Sequence, residues 1–160
     1  MIDAISRFLD SPPDGTPAEI IEVFGVMGSK DFLPPRLFLE TVKQAPMAIS
    51  ITDSKAHILF VNEAFERLTG YQSKEILGKN QSVLSSKSTP AEVYEGLWST
   101  IQSKQVWKGM LVNHNKDKQE YLAELTISPV LNDEGEIAFF LGMHRDITEM
   151  HQLEQRLEFQ

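Results

Sequence analysis

The stretch MAISITDSKAHILFVNEAFERLTG, residues 47–70, decides the fold of this chain. Apolar and polar side chains alternate over residues 47–53, and a second strand-like run, residues 57–61, follows a short polar turn, which predicts an antiparallel hairpin. Asn62 then precedes a helical pattern that Gly70 ends, as is typical of a capped helix. The stretch therefore predicts two paired strands that lead directly into a helix.

The rest of the chain extends this pattern in both element types. A short helix is expected from Ser73 to Gly78, and a longer one over about 90–104, with Thr89 as its cap. Three further strands are expected over about 106–114, 120–131 and 136–146, separated by turn-rich links. Grouped strands with the helices in one block predict an α+β fold, in which a five-stranded antiparallel sheet carries short helices on one face.

Both ends of the chain carry helical patterns outside this core. Residues 1–35 are expected to form an N-terminal helical extension, because Thr16 can cap a helix that Gly28 ends. Residues 36–147 would form the main domain. Residues 148–160 would begin a C-terminal connector helix capped by Asp146, with a coiled-coil-like stripe formed by Ile147, Met150, Leu153 and Leu157.

The composition excludes several classes of function. The 160 residues include 23 acidic and 15 basic side chains, a net charge of -8, which argues against a broad nucleic-acid or anionic-lipid surface. There is no cysteine, which excludes disulfides, thiolate metal sites and thiol nucleophiles. No two histidines share metal-ligand spacing, so no metal site is expected. The chain has no apolar stretch of membrane-spanning length and no signal-peptide pattern, so we expect a soluble, cytoplasmic domain.

Strand alternation assigns the side chains to the two faces of the predicted sheet. The face toward the helices is apolar but includes three small residues, Gly109, Ala123 and Gly142. Such a wall suits a flat aromatic ring held at its polar edge by a few hydrogen-bonding groups. The residues alone equally allow that the small side chains accommodate closely packed helices. The candidate edge groups are Ser50, Asn80, Gln81, Asn113 and His144.

The opposite face of the sheet is also apolar, which would be a liability if it were exposed. The N-terminal helices, the C-terminal helix or a second subunit are expected to cover it. We therefore expect a homodimer formed through this face and the N-terminal helices, with an intramolecular lid as the alternative. The residues concerned are Ile49, Ile51, Met110, Val112, Leu122, Phe139, Leu141 and Met143.

Five ordered motifs over residues 36–150 give the chain a strong likeness to a known family. It resembles the PAS family of sensory domains, which implies the PAS fold. The motifs are Ile51-Thr52-Asp53, Phe60-Val61-Asn62-Glu63-Ala64-Phe65, Leu68-Thr69-Gly70-Tyr71, Glu75-Ile76-Leu77-Gly78-Lys79-Asn80 and Gly142-Met143-His144-Arg145-Asp146-Ile147-Thr148.

Within that family the chain is similar to flavin-binding members. Gly78-Lys79-Asn80-Gln81-Ser82 lies where the light-sensing LOV domains carry their reactive cysteine, and Gln81 occupies that position. Without a thiol no flavin–cysteinyl adduct can form, so LOV photochemistry is excluded. The closer likeness is to FAD-containing redox sensors of the NifL type, which regulate nitrogen fixation. Those sensors have a glutamate near the flavin at this position, so the likeness does not carry a proton-transfer role to Gln81.

This resemblance implies a redox or oxygen sensor, not an enzyme, that binds FAD non-covalently. The state of the flavin would pass through the last strand to the C-terminal helix and on to an effector. Three alternatives stay open: a haem sensor, for which residues 90–104 supply no histidine; a dimerisation or ligand-binding module without flavin; and a flavin oxidase. The cofactor-binding candidates are Ser50, Asn80, Gln81, Trp98, Asn113, Leu125, Phe140 and His144.

Overall fold

The computed structural model describes residues 43–158. The N-terminal extension predicted over residues 1–35 lies outside this range. The described chain begins with the predicted hairpin, β1 (Ala48–Asp53) and β2 (Ile58–Val61), and continues into helices α1 (Glu63–Thr69) and α2 (Ser73–Ile76).

The second half of the domain also follows the predicted order of elements. A single turn of 3-10 helix (Gln81–Leu84), which the sequence did not predict, precedes the long helix α3 (Ala91–Gln102). Three strands follow, β3 (Trp107–His114), β4 (Glu120–Leu131) and β5 (Ile137–Asp146), and the last element is α4 (Thr148–Glu158).

The five strands form one antiparallel sheet in the order β2-β1-β5-β4-β3. The strand that comes last in the chain therefore lies at the centre, between the two halves of the sheet. This is the predicted α+β architecture. Among the strands of residues 43–158, β5 alone pairs with both the opening hairpin, through β1, and the β3–β4 pair, through β4.

Asn62 joins the opening hairpin to α1. Its side-chain Oδ1 accepts hydrogen bonds from the backbone N–H groups of Ile49 (2.9 Å) and Phe65 (3.0 Å), and its Nδ2 donates to the carbonyl of Met47 (2.8 Å). The side chain is completely buried, so each of these bonds satisfies a group that water does not reach. Asn62 is thus both the predicted helix cap and the tie between α1 and β1.

The start of α3 differs from the prediction. Thr89 does not cap the helix, because its hydroxyl accepts from the N–H of Val112 (2.8 Å) and lies 3.2 Å from the carbonyl of the same residue. Pro90 stands at the cap position without a side-chain bond. The hydroxyl instead satisfies the open edge of β3, a partner that lies more than twenty residues away in sequence.

The core divides into two clusters on the helix side of the sheet. One lies beneath α1 and α2 and includes Phe65, Ile76 and Leu84, and the other lies beneath α3 and includes Leu97 and Phe140. Apolar side chains thus pack beneath α1 and α2 and beneath α3, and a gap remains between the two clusters.

The outer face of the sheet is apolar, as its alternation predicts. Ile49, Ile51 and Leu141 are almost completely buried, whereas Met110 on β3 is 55% exposed. No helix among residues 43–158 is long and apolar enough to cross a membrane.

Candidate functional site

A cavity opens where the two core clusters meet, between α3, the 3-10 turn and the inner face of the sheet. Counted out through its open mouth, with the solvent-filled space there included, its volume is about 770 Å³. Its walls are mostly apolar and come from both α3 and three strands. The apolar side chains are Leu84, Leu97, Ile101, Leu111, Leu125, Ile127 and Phe140.

Polar side chains gather on the part of the wall formed by β1, β3 and the 3-10 turn. Ser50 and Asn113 are buried on their strands, and Gln81 is half-buried at the start of the turn. The Oε1 atom of Gln81 is buried and has no hydrogen-bond partner. A buried acceptor without a partner is costly, so this atom is available to a ligand that can donate to it.

The structure brings all but one of the predicted site residues to this cavity. His144 is the exception, since it does not line the wall. The residues that do are Ser50, Asn80, Gln81, Trp98, Asn113, Leu125 and Phe140.

His144 lies one layer behind the wall. Its Nε2 is 2.8 Å from Ser50 Oγ and 3.3 Å from Gln81 Nε2, and its ring meets Phe65 edge-on with centroids 5.2 Å apart. Burial lowers the pKa of this imidazole to about 4, so the ring is neutral near pH 7. Ser50 and Gln81, which line the cavity, are thus the side chains that connect this histidine to it.

Two of the three small residues predicted for the wall, Gly109 and Gly142, make room for neighbouring side chains. A Cβ atom at Gly142 would stand 2.7 Å from Ser50 Oγ and 3.1 Å from His144 Nε2, so this glycine makes room for the Ser50–His144 hydrogen bond. A Cβ at Gly109 would collide with the indole of Trp107 at 2.5 Å. Both glycines therefore accommodate side chains of their own sheet, and Gly142 also lines the cavity.

Asn80 lines the cavity but is already occupied by local structure. Its Oδ1 accepts from the N–H of Ser82 (3.0 Å), which starts the 3-10 turn, and its Nδ2 donates to the carbonyl of Lys55 (3.1 Å). The side chain is exposed. Its structural effect is to fix the turn that carries Gln81.

Two aromatic residues of α3, Tyr94 and Trp98, line the cavity. Trp98 meets Phe140 edge-on, with ring centroids 6.3 Å apart, while lining the cavity. It therefore packs against the core and also presents a surface to the cavity. Tyr94 lies one turn earlier, and its buried hydroxyl has no hydrogen-bond partner.

Asn113 stands beside a neutral phenol. Its strand partner is Tyr121, and burial raises the pKa of that hydroxyl to about 12, against a smaller opposing effect of the Asn113 side chain. The two groups lie close, although the tyrosine oxygen makes no hydrogen bond of acceptable geometry. Asn113 therefore lines the cavity as a neutral amide beside a neutral phenol.

The sequence missed several lining residues. Thr52 follows Ser50 by two positions on β1, so strand alternation alone could have identified it. Periodicity could likewise have identified Leu111 and Ile127 on their strands and Tyr94, Leu97 and Ile101 on α3. Four more lining residues, on the turn after β1 and around the 3-10 turn, carry no periodic signal. They are Ala56, Ser82, Leu84 and Ser85.

Comparison with known proteins gives a consistent result. Residues 35–147 match the family described as PAS fold. A nitrogen fixation regulatory protein of Klebsiella oxytoca is 45% identical over 123 residues, covering 77% of this chain and 25% of that protein. A blue-light-activated histidine kinase of Erythrobacter litoralis is 33% identical over 120 residues, covering 73% of this chain and 33% of that protein.

A solved structure shares the fold as well. The structure of an RNA-binding light-oxygen-voltage receptor superposes with a TM-score of 0.74 at 28% identity, covering 81% of this chain and 39% of that one. This chain therefore spans a quarter to two fifths of the length of these proteins.

Replacing Gly142 tests the packing behind the cavity wall. Gly142→Ala is expected to lower the free energy of unfolding by about 1–3 kcal/mol, because the new methyl group displaces Ser50 from His144 and leaves buried polar groups unpaired. Urea denaturation measures the change. Gly96→Ala on the exposed side of α3 is the control, with open space around the new methyl group and an expected gain of up to about 1 kcal/mol. Equal stability of Gly142→Ala and the wild type would contradict this packing.

Proposed function

This chain belongs to the PAS family, as a sensory domain, and we propose that its cavity binds FAD non-covalently and senses redox state or oxygen. In this proposal the domain is not an enzyme. Any reaction of the flavin with dioxygen is the sensing event.

The form of the cavity carries the proposal. A flavin ring has two apolar faces and one hydrogen-bonding edge, and the cavity has apolar walls with Ser50, Gln81 and Asn113 on one side. The unpartnered Oε1 of Gln81 gives that side an acceptor with no internal use. The residues present therefore fit a flavin.

The residues of the chain would position the flavin and insulate it. When bound, a flavin supplies a redox centre whose ring edge gains and loses protons. Leu111, Leu125 and Phe140 would hold the ring by its faces and exclude water, while Gln81 and Asn113 would meet its edge. No described residue of the cavity wall carries a charge at neutral pH, so the wall would favour neutral over charged forms of the ring.

The path from the cavity to the rest of the protein would run along β5. His144 lies near the end of this strand, two residues before Asp146, whose carboxylate accepts from the N–H of Thr148 at the start of α4 (2.9 Å). The same junction is fixed to β4, because Ile147 N–H donates to the carbonyl of Leu122 (2.9 Å) and Thr148 Oγ1 accepts from the N–H of Leu122 (2.8 Å). A shift of β5 would therefore move the base of α4.

The output would be an effector joined through α4. One matching protein is a nitrogen fixation regulator and another a histidine kinase, and the chain covers a third or less of each. We propose regulation of the NifL type, with the effector identified by experiment.

The alternatives explain the cavity less well. A haem sensor needs an axial ligand, and none of the described residues lining the cavity is a histidine. No cluster of three or more potential metal ligands occurs among the described residues. A ligand-binding module without flavin keeps the fold but leaves the polar side of the cavity, with Ser50, Gln81 and Asn113, without a specific partner. A flavin oxidase would need a substrate site besides the flavin site.

Filling the cavity tests the flavin proposal. Leu111→Trp is expected to lower the flavin content of the purified protein at least about tenfold, because Leu111 is buried in the cavity wall and an indole would occupy the ring's place. Visible absorption measures the content, and chromatography of the heat-released cofactor distinguishes FAD from FMN.

Met110→Trp is the matched control. This neighbouring residue on β3 points to the other face and is 55% exposed, so flavin content should not change. A folded wild-type protein without flavin, or one whose absorption neither dithionite nor air alters, would refute the proposal.

We also propose that the domain is a homodimer, formed through the outer sheet face and the N-terminal segment. Met110 and the α4 residues Met150, Leu153 and Leu157 are exposed apolar side chains, and those on α4 are spaced by three and four positions.

Deleting residues 1–35 should weaken dimerisation at least about tenfold in sedimentation velocity experiments. A full-length monomer, or equal dimerisation of both proteins, would contradict this interface.

A further inference from the structure

Gln81 and His144 form a contact in which neither side chain is fully satisfied. Gln81 Nε2 and Ser50 Oγ both approach the same ring nitrogen, Nε2 of His144, at 3.3 Å and 2.8 Å. The opposite atoms of the two groups, Gln81 Oε1 and His144 Nδ1, are buried and have no partner. A buried amide and a buried imidazole thus share one bond and each leave one polar atom unused.

Two arrangements fit these positions equally well. A primary amide can turn by 180° and exchange its donor and acceptor ends without a change of shape, and a neutral imidazole can carry its proton on either nitrogen. In the first arrangement, Gln81 Nε2–H donates to a bare His144 Nε2, and the ring proton is on Nδ1. In the second, the amide is turned, Gln81 Oε1 accepts from His144 Nε2–H, and Nδ1 is bare.

The two choices are linked because the ring is neutral and holds a single proton. Burial keeps the pKa of His144 near 4, so a doubly protonated ring that would uncouple them is excluded at neutral pH. Ser50 does not decide between the arrangements, since its hydroxyl both donates and accepts. A ligand in the cavity can therefore determine which end of the Gln81 amide, the NH₂ group or the carbonyl oxygen, points away from His144.

We propose that the ligand in the cavity sets the tautomer of His144 through the orientation of the Gln81 amide. A ligand edge that accepts a hydrogen bond selects the outward NH₂ group and hence the Nε2–H tautomer. A ligand edge that donates selects the outward carbonyl and hence the Nδ1–H tautomer. This rests on the proposed function to the extent that an oxidised flavin edge accepts and a reduced one donates.

The proton balance of the change is simple. The imidazole releases one proton from Nε2 and takes up one at Nδ1, so its charge stays at zero. His144 also borders a second, partly open cavity, and in this proposal solvent reaching that cavity would supply one proton and receive the other. The charged side chains around this second cavity are Arg67, Lys108, Glu124, Arg145 and Asp146.

The amide at position 81 is essential to this device. An ionised carboxylate there can only accept, which would hold His144 in the Nε2–H form whatever the ligand presents. A glutamine supplies both ends in one shape. Gln81 is therefore a positioning residue that acts on His144 and is not a proton carrier.

Nitrogen NMR of the full chain labelled with ¹⁵N-histidine reads the tautomer directly. In the flavin-loaded wild type, His144 should be mainly Nε2–H when oxidised and mainly Nδ1–H after reduction with dithionite. The other three histidines, His57, His114 and His151, do not line the cavity and serve as internal references. A single dominant tautomer in both redox states would overturn the proposal.

A variant that changes the charge at position 81 tests whether the amide itself couples the flavin to the tautomer of His144. At pH 8, Gln81→Glu should remain Nε2–H in both redox states, whereas the control Gln105→Glu, the same change at an exposed loop position, should switch as the wild type does. Switching in Gln81→Glu would refute the role of the amide.

If the purified chain holds no flavin, the proposed function fails but the coupling can still be tested. Ligand-free Gln81→Glu should then show Nε2–H alone and the wild type a substantial Nδ1–H population. Identical tautomers in these two proteins would overturn the coupling itself.

Discussion

The hydrogen bond between Ser50 and the neutral imidazole of His144 is the contact on which the functional side of this domain depends. It crosses from β1 to β5, the two strands that join the opening hairpin to the rest of the sheet. Gly142 has to lack a side chain for this bond to form. Burial opposes ionisation of the ring, so a polar group is kept in the core without the larger penalty of a buried charge. The Gln81 amide meets the same ring nitrogen at the cavity wall, and its Oε1 atom has no partner.

The topology turns this local contact into a route out of the domain. Because β5 lies at the centre of the sheet and also ends the domain, a change at residue 144 is two residues from the start of the connector at Asp146. The pairing of Ile147 and Thr148 with Leu122 holds the base of α4 against β4, so α4 has a defined direction where it leaves the sheet. In the proposed function, the central strand carries the state of the cavity to whatever follows α4.

Much of this could be predicted from the sequence, because the deciding signals are local. The hairpin, the Asn62 cap and the sheet faces follow from periodicity and turn chemistry over fewer than ten residues. Ser50 and Asn113 could be assigned to one site because strand alternation determines the face of the sheet on which each lies. Gln81 could be added because it lies in a recognised motif. The prediction that Thr89 caps α3 was wrong because the Thr89 hydroxyl has a competing partner in β3, which no local pattern reveals. Likewise, strand alternation gave His144 the correct face but could not show that Ser50 and Gln81 lie between it and the cavity.

Amide hydrogen exchange at the junction of β5 and α4 tests the central claim, that the state of the cavity reaches the connector, most directly. The oxidised and reduced flavin-loaded proteins should differ several-fold in amide exchange over residues 147–151, where the N–H groups of Ile147, Thr148 and His151 donate to Leu122, Asp146 and Ile147 and hold the base of α4 in place. Exchange on the exposed turn Asn132–Gly135 should stay the same and serves as the internal reference. Identical exchange at residues 147–151 in a protein whose flavin is fully reduced would contradict the account.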